Sequence, residues 1–217
     1  MLLSKWKWKL AQALEWRWWR RYLSKQSQTT YLQNKRAYWA RVLQQAEIHI
    51  ETGESILDAG CGPAGLFILP FSGKVDALDP LIEQYRQNLA HFDSEDYPNV
   101  RFMVQPLETF NAPLLYDKVF CFNAINHVSD LQACITNLAK ALRPNGLLIA
   151  SVDAHNKLWL KKIFQWLPGD VLHPQQYGVE EYCSFFAQQN LKLIRCKTLR
   201  KAFIFNYYLM VFEKTAA

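Results

Sequence analysis

The sequence predicts an α/β fold: a mostly parallel sheet that closes in an antiparallel hairpin and follows a helical extension. Three observations carry this. From Ser55 onward, short apolar runs alternate with helical patterns, the rhythm of βαβ units. The stretch SILDAGCGPAG, Ser55 to Gly65, joins an apolar strand to a glycine-rich turn, as where a buried parallel strand feeds a helix. Near the end, LKLIRCKTLR and FIFNYYLMVFEK are strand-like runs with only a few residues between them. So short a connection cannot be a parallel crossover and requires a hairpin.

The chain of 217 residues, half of them hydrophobic, is long enough for one α/β domain with a full core and an appendage. No uncharged apolar run reaches the ~18–20 residues of a spanning helix. The N-terminus carries lysines at alternate positions and no apolar block, unlike a secretory signal. Five scattered cysteines without C-x-x-C or a His/Cys cluster indicate neither a zinc site nor a disulfide framework, and fit reduced thiols in the cytoplasm.

The net charge of +6 is unevenly placed. Residues 1–41 hold ten Lys and Arg and one acid, Glu15; the rest holds fifteen basic and eighteen acidic residues. The basic character therefore belongs to the appendage. Its first segment, Leu2 to Leu23, contains five of the eight tryptophans and no Pro or Gly, which predicts a helix. Leu3, Trp6, Leu10, Leu14 and Trp18 recur at helical spacing and form the expected inner face, broadened by Trp8, Trp19, Tyr22 and Leu23. Such a helix can dock on its own domain as a lid, pair in a homodimer, lie on an anionic membrane surface or bind nucleic acid. Ser24 to Thr30 reads as a linker. Tyr31 to Ile50 is a second amphipathic helix with Leu32, Tyr38 or Trp39, Val42, Leu43 and Ala46 inside.

The remaining elements follow in order. Strand one ends at Asp58, and Gly65 to Pro70 reads as a short helix whose start would offer free N–H groups. Strand two is Lys74 to Asp79; Pro80 then opens a helix through Phe92, a position proline tolerates. Strand three is Val100 to Val104 and strand four Asp117 to Ala124. Asp130 caps a helix that Pro144-Asn145-Gly146 ends, and strand five is Leu147 to Asp153. A helix and turn over 155–170, then a helix from Val179 to Gln189, lead to the final hairpin.

Gly60, Gly62 and Gly65 spell G-x-G-x-x-G, a weak signal on its own. A pyrophosphate would not welcome the carboxylate of Asp58 two residues earlier; an ammonium or a ribose would. The string LDAGCGPAG resembles the first motif of class I S-adenosylmethionine-dependent methyltransferases. The resemblance implies a Rossmann-like methyltransferase fold with a seven-stranded, mostly parallel sheet and a C-terminal antiparallel hairpin. It divides the chain into a helical extension or lid, 1–52, and a domain binding S-adenosylmethionine, 53–217. It implies that Asp58, Gly60, Cys61 and Gly62 line the methionine part of the cofactor. Asp79 with Pro80, twenty-one residues after Asp58, would hold the ribose hydroxyls; a helix cap is the plainer role of Asp79, and the two are compatible. After strand three, Pro106 stands where the family often carries an acid, which leaves Leu107 and Glu108 as candidates beside the adenine. Asn123 would sit near the transferring methyl. Tyr31, Lys35, Tyr38 and Trp39 would lie over the cofactor.

His127 is the first candidate for a general base, because histidine titrates near neutrality. His155, and His173 with Tyr177, are weaker ones. Ala124-Ile125 stand where a base-methylating enzyme carries prolines, against a nucleic-acid acceptor. The expected acceptor is a small molecule, lipophilic or membrane-presented, reacting through oxygen or nitrogen. No metal is expected. Two rivals remain open: a non-catalytic methyltransferase-like binding protein, and a nicotinamide-dependent oxidoreductase, against which Asp58 and the final hairpin speak.

Overall fold

The computed structural model describes residues 5–156, 175 and 177–215; the helix and turn expected over 155–170 lie outside them from residue 157 on, as does His173. The elements run α1 (Lys5–Leu23), α2 (Gln28–Ala46), β1 (Ile56–Ala59), β2 (Val75–Leu78), α3 (Ile82–Asn88), β3 (Val100–Met103), β4 (Tyr116–Phe122), α4 (Leu131–Ala141), β5 (Leu142–His155), α5 (Val179–Ala187), β6 (Leu191–Arg200) and β7 (Phe205–Lys214). The strands form a seven-stranded sheet in the order β3-β2-β1-β4-β5-β7-β6. The first five are parallel, while β7 runs antiparallel between β5 and β6. This is the expected fold, hairpin included.

Both sheet faces are covered, so β1 and β2 are buried at every position, as the inner strands of a parallel sheet are. One face packs α4 and α5, through Leu138, Tyr182 and Phe186. The other packs α2 and α3, through Trp39, Val42 and Tyr85. The acid inside β2, Asp76, accepts from Tyr116 Oη at 2.5 Å and from the Arg101 guanidinium of β3. That cluster satisfies a buried carboxylate which would otherwise be costly.

Several boundaries differ from expectation. The linker is shorter, because Ser27 caps α2 by accepting from Thr30 N. No α-helix follows β1. Two 3-10 turns, Gly62–Ala64 and Leu66–Ile68, replace it, since the Asp58 carboxylate draws Phe67 N back to the strand at 3.0 Å. The dipole expected of a helix start is therefore absent from the glycine loop. Asp130 does cap α4, but the helix stops at Ala141 and Pro144-Asn145-Gly146 falls in the register shift of β5 against β4.

The face that α1 presents is rotated from the expected one. Leu10, Trp18 and Tyr22 are exposed, whereas Leu23 is buried and Trp16 and Trp19 pack inward. The helix covers a polar cleft, so its inner face carries Glu15 rather than an unbroken apolar stripe. The C-terminus of α2 is tied to the sheet by Glu47, which pairs with Arg195 at 2.8 Å and Lys197 at 2.7 Å.

Candidate active site

Strand order reverses between β1 and β4, and ligands of open parallel sheets sit beyond the strand ends at that point. A cavity of about 950 Å³ opens there. Its floor is the glycine loop. Gly60 holds φ +71° and Gly62 φ +59°, a region that glycine enters without strain. A Cβ on Gly60 would also stand under 3 Å from the Ala124 side chain. The loop is fixed by Gly60 N and Cys61 N, which donate to Leu78 O at 2.7 and 3.1 Å.

Asp79, buried at the end of β2, accepts from Leu81 N at 2.8 Å through one oxygen and from Gly62 N at 2.9 Å through the other. It thus joins the loop to the start of α3, and each oxygen keeps a lone pair for a ligand. Burial pushes its pKa up to about 6 against those two backbone donors. Asp58 lies behind the cavity wall, fully enclosed. Burial raises it to about 7, and its bonds to Phe67 and Leu66 backbone oppose the rise. Its observed contact is with the loop itself, which it organises.

The other residues singled out in the sequence gather on the cavity wall: Cys61, Pro80, Leu107, Glu108, Asn123 and His127. Glu108 Oε1 accepts from both N and Oγ of Ser129, at 2.7 and 2.8 Å, so it braces the loop that carries His127. Asn123 sits at φ 51°, with its N–H given to Ser151. His155 is buried against Phe205 and off the cavity wall. Tyr177 packs on Tyr182 and Phe185.

The roof comes from the extension. Tyr31, Lys35, Tyr38 and Trp39 of α2 line the cavity, as do Glu15, Trp18 and Trp19 of α1. Trp39 stacks on Phe122 with centroids 5.0 Å apart and donates to Ala64 O at 3.0 Å. Lys35 Nζ lies 5.2 Å from the Trp39 ring, and burial lowers its pKa while the charge of Asp58 opposes that. The sequence reading missed Glu15 and, on the far wall, Asp153, Arg200 and Tyr207. Tyr207 Oη lies 2.6 Å from Ser151 Oγ. Glu15 had a signal, as the sole acid of a strongly basic segment, and so had Asp153, at the end of strand five; Arg200 and Tyr207 had none.

The chain matches the methyltransferase-domain family over residues 31–195. It belongs to that family, of the class I S-adenosylmethionine-dependent type. It is similar to the ubiquinone biosynthesis O-methyltransferase of Rickettsia akari, 33% identical over 105 residues that cover 47% of this chain and 41% of the relative. The chain thus spans less than half the length of that curated relative. Among solved structures it resembles the 1,6-didemethyltoxoflavin-N1-methyltransferase of Burkholderia thailandensis, bound to its namesake compound and S-adenosylhomocysteine. That likeness has a TM-score of 0.66 and 15% identity, covering 100% of this chain and 92% of the other. It also resembles the N-methyltransferase NodS of Bradyrhizobium japonicum in complex with S-adenosylhomocysteine, with a TM-score of 0.61 and 14% identity over 85% of this chain and 87% of the other.

Proposed function

We propose that the protein transfers the methyl group of S-adenosylmethionine to a small, lipophilic acceptor through an oxygen or nitrogen nucleophile. The observation that carries this is the cavity at the strand-order reversal, where a glycine cradle and the ligand-facing acid Asp79 meet in one wall. The cradle fits the cofactor, because Gly62 leaves backbone exposed beneath Trp19 on the cavity wall, while Gly60 lets the loop pack closely on Ala124. The cavity has the upper size expected of ligand pockets, room for a cofactor and a small acceptor together.

S-adenosylmethionine supplies a methyl group on a sulfonium, ready for in-line displacement by the acceptor. The chain's residues hold and align. Asp79 accepts the ribose hydroxyls, and Leu107 walls the adenine. Lys35 attracts the carboxylate of the methionine part, and Asn123 borders the same end. The enclosing rings of Trp19, Tyr38 and Trp39 exclude water. Alignment of this kind can supply ~7–11 kcal/mol of barrier lowering. His127 takes the proton of an acceptor that is protonated at working pH. The Rickettsia relative's name supports an oxygen acceptor.

No helix among the described residues is long and apolar enough to cross a membrane. The outer face of α1 exposes Arg17, Arg20 and Arg21, chemistry that suits an anionic bilayer surface. We place the protein in the cytoplasm, with α1 resting on that surface and the acceptor drawn from it.

The test is incubation with labelled S-adenosylmethionine and a panel of phenols and amines carrying apolar tails, read by mass spectrometry. The expected result is a product heavier by one methyl group that disappears in Asp79→Ala. Tight cofactor binding with no product from oxygen or nitrogen acceptors of any chain length would refute the acceptor assignment.

A further inference from the structure

Glu15 reaches the cavity from α1 together with Gln12 and Trp19. Trp19 covers the glycine loop; its Cζ2 is 3.5 Å from where a Cβ on Gly62 would stand. Trp16, one residue on, packs against Tyr85 of α3 with ring centroids 6.4 Å apart. The helix is therefore seated over the end of β2, with its single acid turned toward Asp79. Two enclosed carboxylates facing each other are unfavourable unless something between them supplies hydrogen or charge. Among the described residues, no Lys or Arg forms an ion pair with either.

Two donors at the same place are short of partners. Tyr85 Oη, fully buried, lies against Asp79 and Glu15 but completes no hydrogen bond of good geometry. Trp19 Nε1 approaches Glu15 and likewise completes none. Burial, then the charge of Asp79, raises the pKa of Glu15 to about 7, consistent with a carboxylate lacking a counter-charge. Two acceptors and two donors thus neighbour one another at the end of β2 with at best poorly aligned bonds between them, a condition native interiors rarely tolerate unless a ligand completes it. A group that donates twice and accepts twice on neighbouring atoms would complete all four. A vicinal diol does this: each hydroxyl gives one hydrogen and offers lone pairs.

We propose that Glu15 and Asp79 clamp the ribose diol of the cofactor between α1 and β2, with Trp19 and Tyr85 donating to its oxygens. This rests on the S-adenosylmethionine reading above and extends it: α1 becomes a lid locked by the cofactor it covers. The lid reads the sugar hydroxyls, so a ligand without them leaves it unlatched.

The experiment titrates the full chain calorimetrically with S-adenosylhomocysteine and with its 2′,3′-dideoxy analogue, following tryptophan fluorescence alongside. The proteins are wild type, Glu15→Ala and Glu15→Gln, each with a thermal melt to check folding. Loss of one hydrogen bond to a charged group predicts about tenfold to hundredfold weaker binding of S-adenosylhomocysteine by Glu15→Ala. Glu15→Gln, which keeps one acceptor, should fall between. The difference between proteins should vanish with the dideoxy analogue, and Trp19 should report closure only with the diol present. Unchanged affinity in Glu15→Ala overturns the clamp while leaving the cofactor reading intact. Equal weakening toward both ligands also overturns it, reducing Glu15 to a support of α1. No binding of S-adenosylhomocysteine by folded wild type overturns the cofactor reading, and the clamp with it.

Discussion

Replacing Gly60 by alanine tests whether the glycine loop is built by steric necessity. Two costs add. The residue sits at φ +71°, where an L side chain loses about 1–2 kcal/mol against its following carbonyl. The new methyl would also stand under 3 Å from the Ala124 side chain, so one side must move by about an ångström. The loop cannot move freely, because Gly60 N and Cys61 N are bonded to Leu78 O and Gly62 N to Asp79. Overpacking of this kind costs about 1–3 kcal/mol. The total, about 2–5 kcal/mol, corresponds to a fall in melting temperature of ~4–20 °C for a domain of this size. The assay is thermal unfolding of Gly60→Ala, of Ala124→Gly and of the double variant. The double variant removes the clash and keeps the φ penalty, so it should recover all but about 1–2 kcal/mol. A single variant that melts within about 2 °C of wild type, or a double variant no better than the single, would refute the reasoning.

Tyr116→Phe leaves the Asp76 carboxylate with Arg101 alone and should destabilise by about 2 kcal/mol, the worth of a hydrogen bond to a charge; chemical denaturation measures it. Burial raises Glu15 and Asp58 to about 7 and Asp79 to about 6. The folded chain therefore keeps protons that the unfolded chain releases, and stability falls as pH rises from about 4.5 to about 7. The groups facing Glu15 are Asp79 and Tyr85, with Cys61 beside them, so Glu15→Gln should flatten the fall in melting temperature measured without ligand across that window; an unchanged slope contradicts it. Vesicles containing phosphatidylserine should sediment the wild type, and a variant with Glu at Arg17, Arg20 and Arg21 should stay in the supernatant.

Much of the molecule was legible because its local and global preferences agree. Buried parallel strands are predominantly apolar, so β1, β2 and β4 announce themselves despite Asp58, Asp76 and Lys118, and a short link between β6 and β7 permits only a hairpin. Cys61, Asp79, Asn123 and His127 could be grouped in advance since each ends or follows a strand that points at the same crevice. The face of α1 was misread because amphipathicity registers apolar contact, while this helix covers a polar cleft with Glu15 and leaves Leu10 exposed. Asp58, expected to line the methionine part of a ligand, accepts from Phe67 N at the end of β1: a carboxylate followed by glycines satisfies either need, and the sequence carries no record of where Phe67 N points. Arg200 and Tyr207 reach the cavity through the antiparallel pairing of β6 with β7, a register that no local pattern specifies.

Every role proposed for the site depends on this cavity binding S-adenosylmethionine. Calorimetric titration with S-adenosylmethionine and S-adenosylhomocysteine, with NADH in parallel and Asp79→Ala as control, tests it most directly. Micromolar binding of the first two ligands, loss of both in Asp79→Ala, and no heat from NADH are expected. Binding of NADH in their place would contradict the cofactor assignment, as would S-adenosylhomocysteine binding that survives the removal of the Asp79 carboxylate.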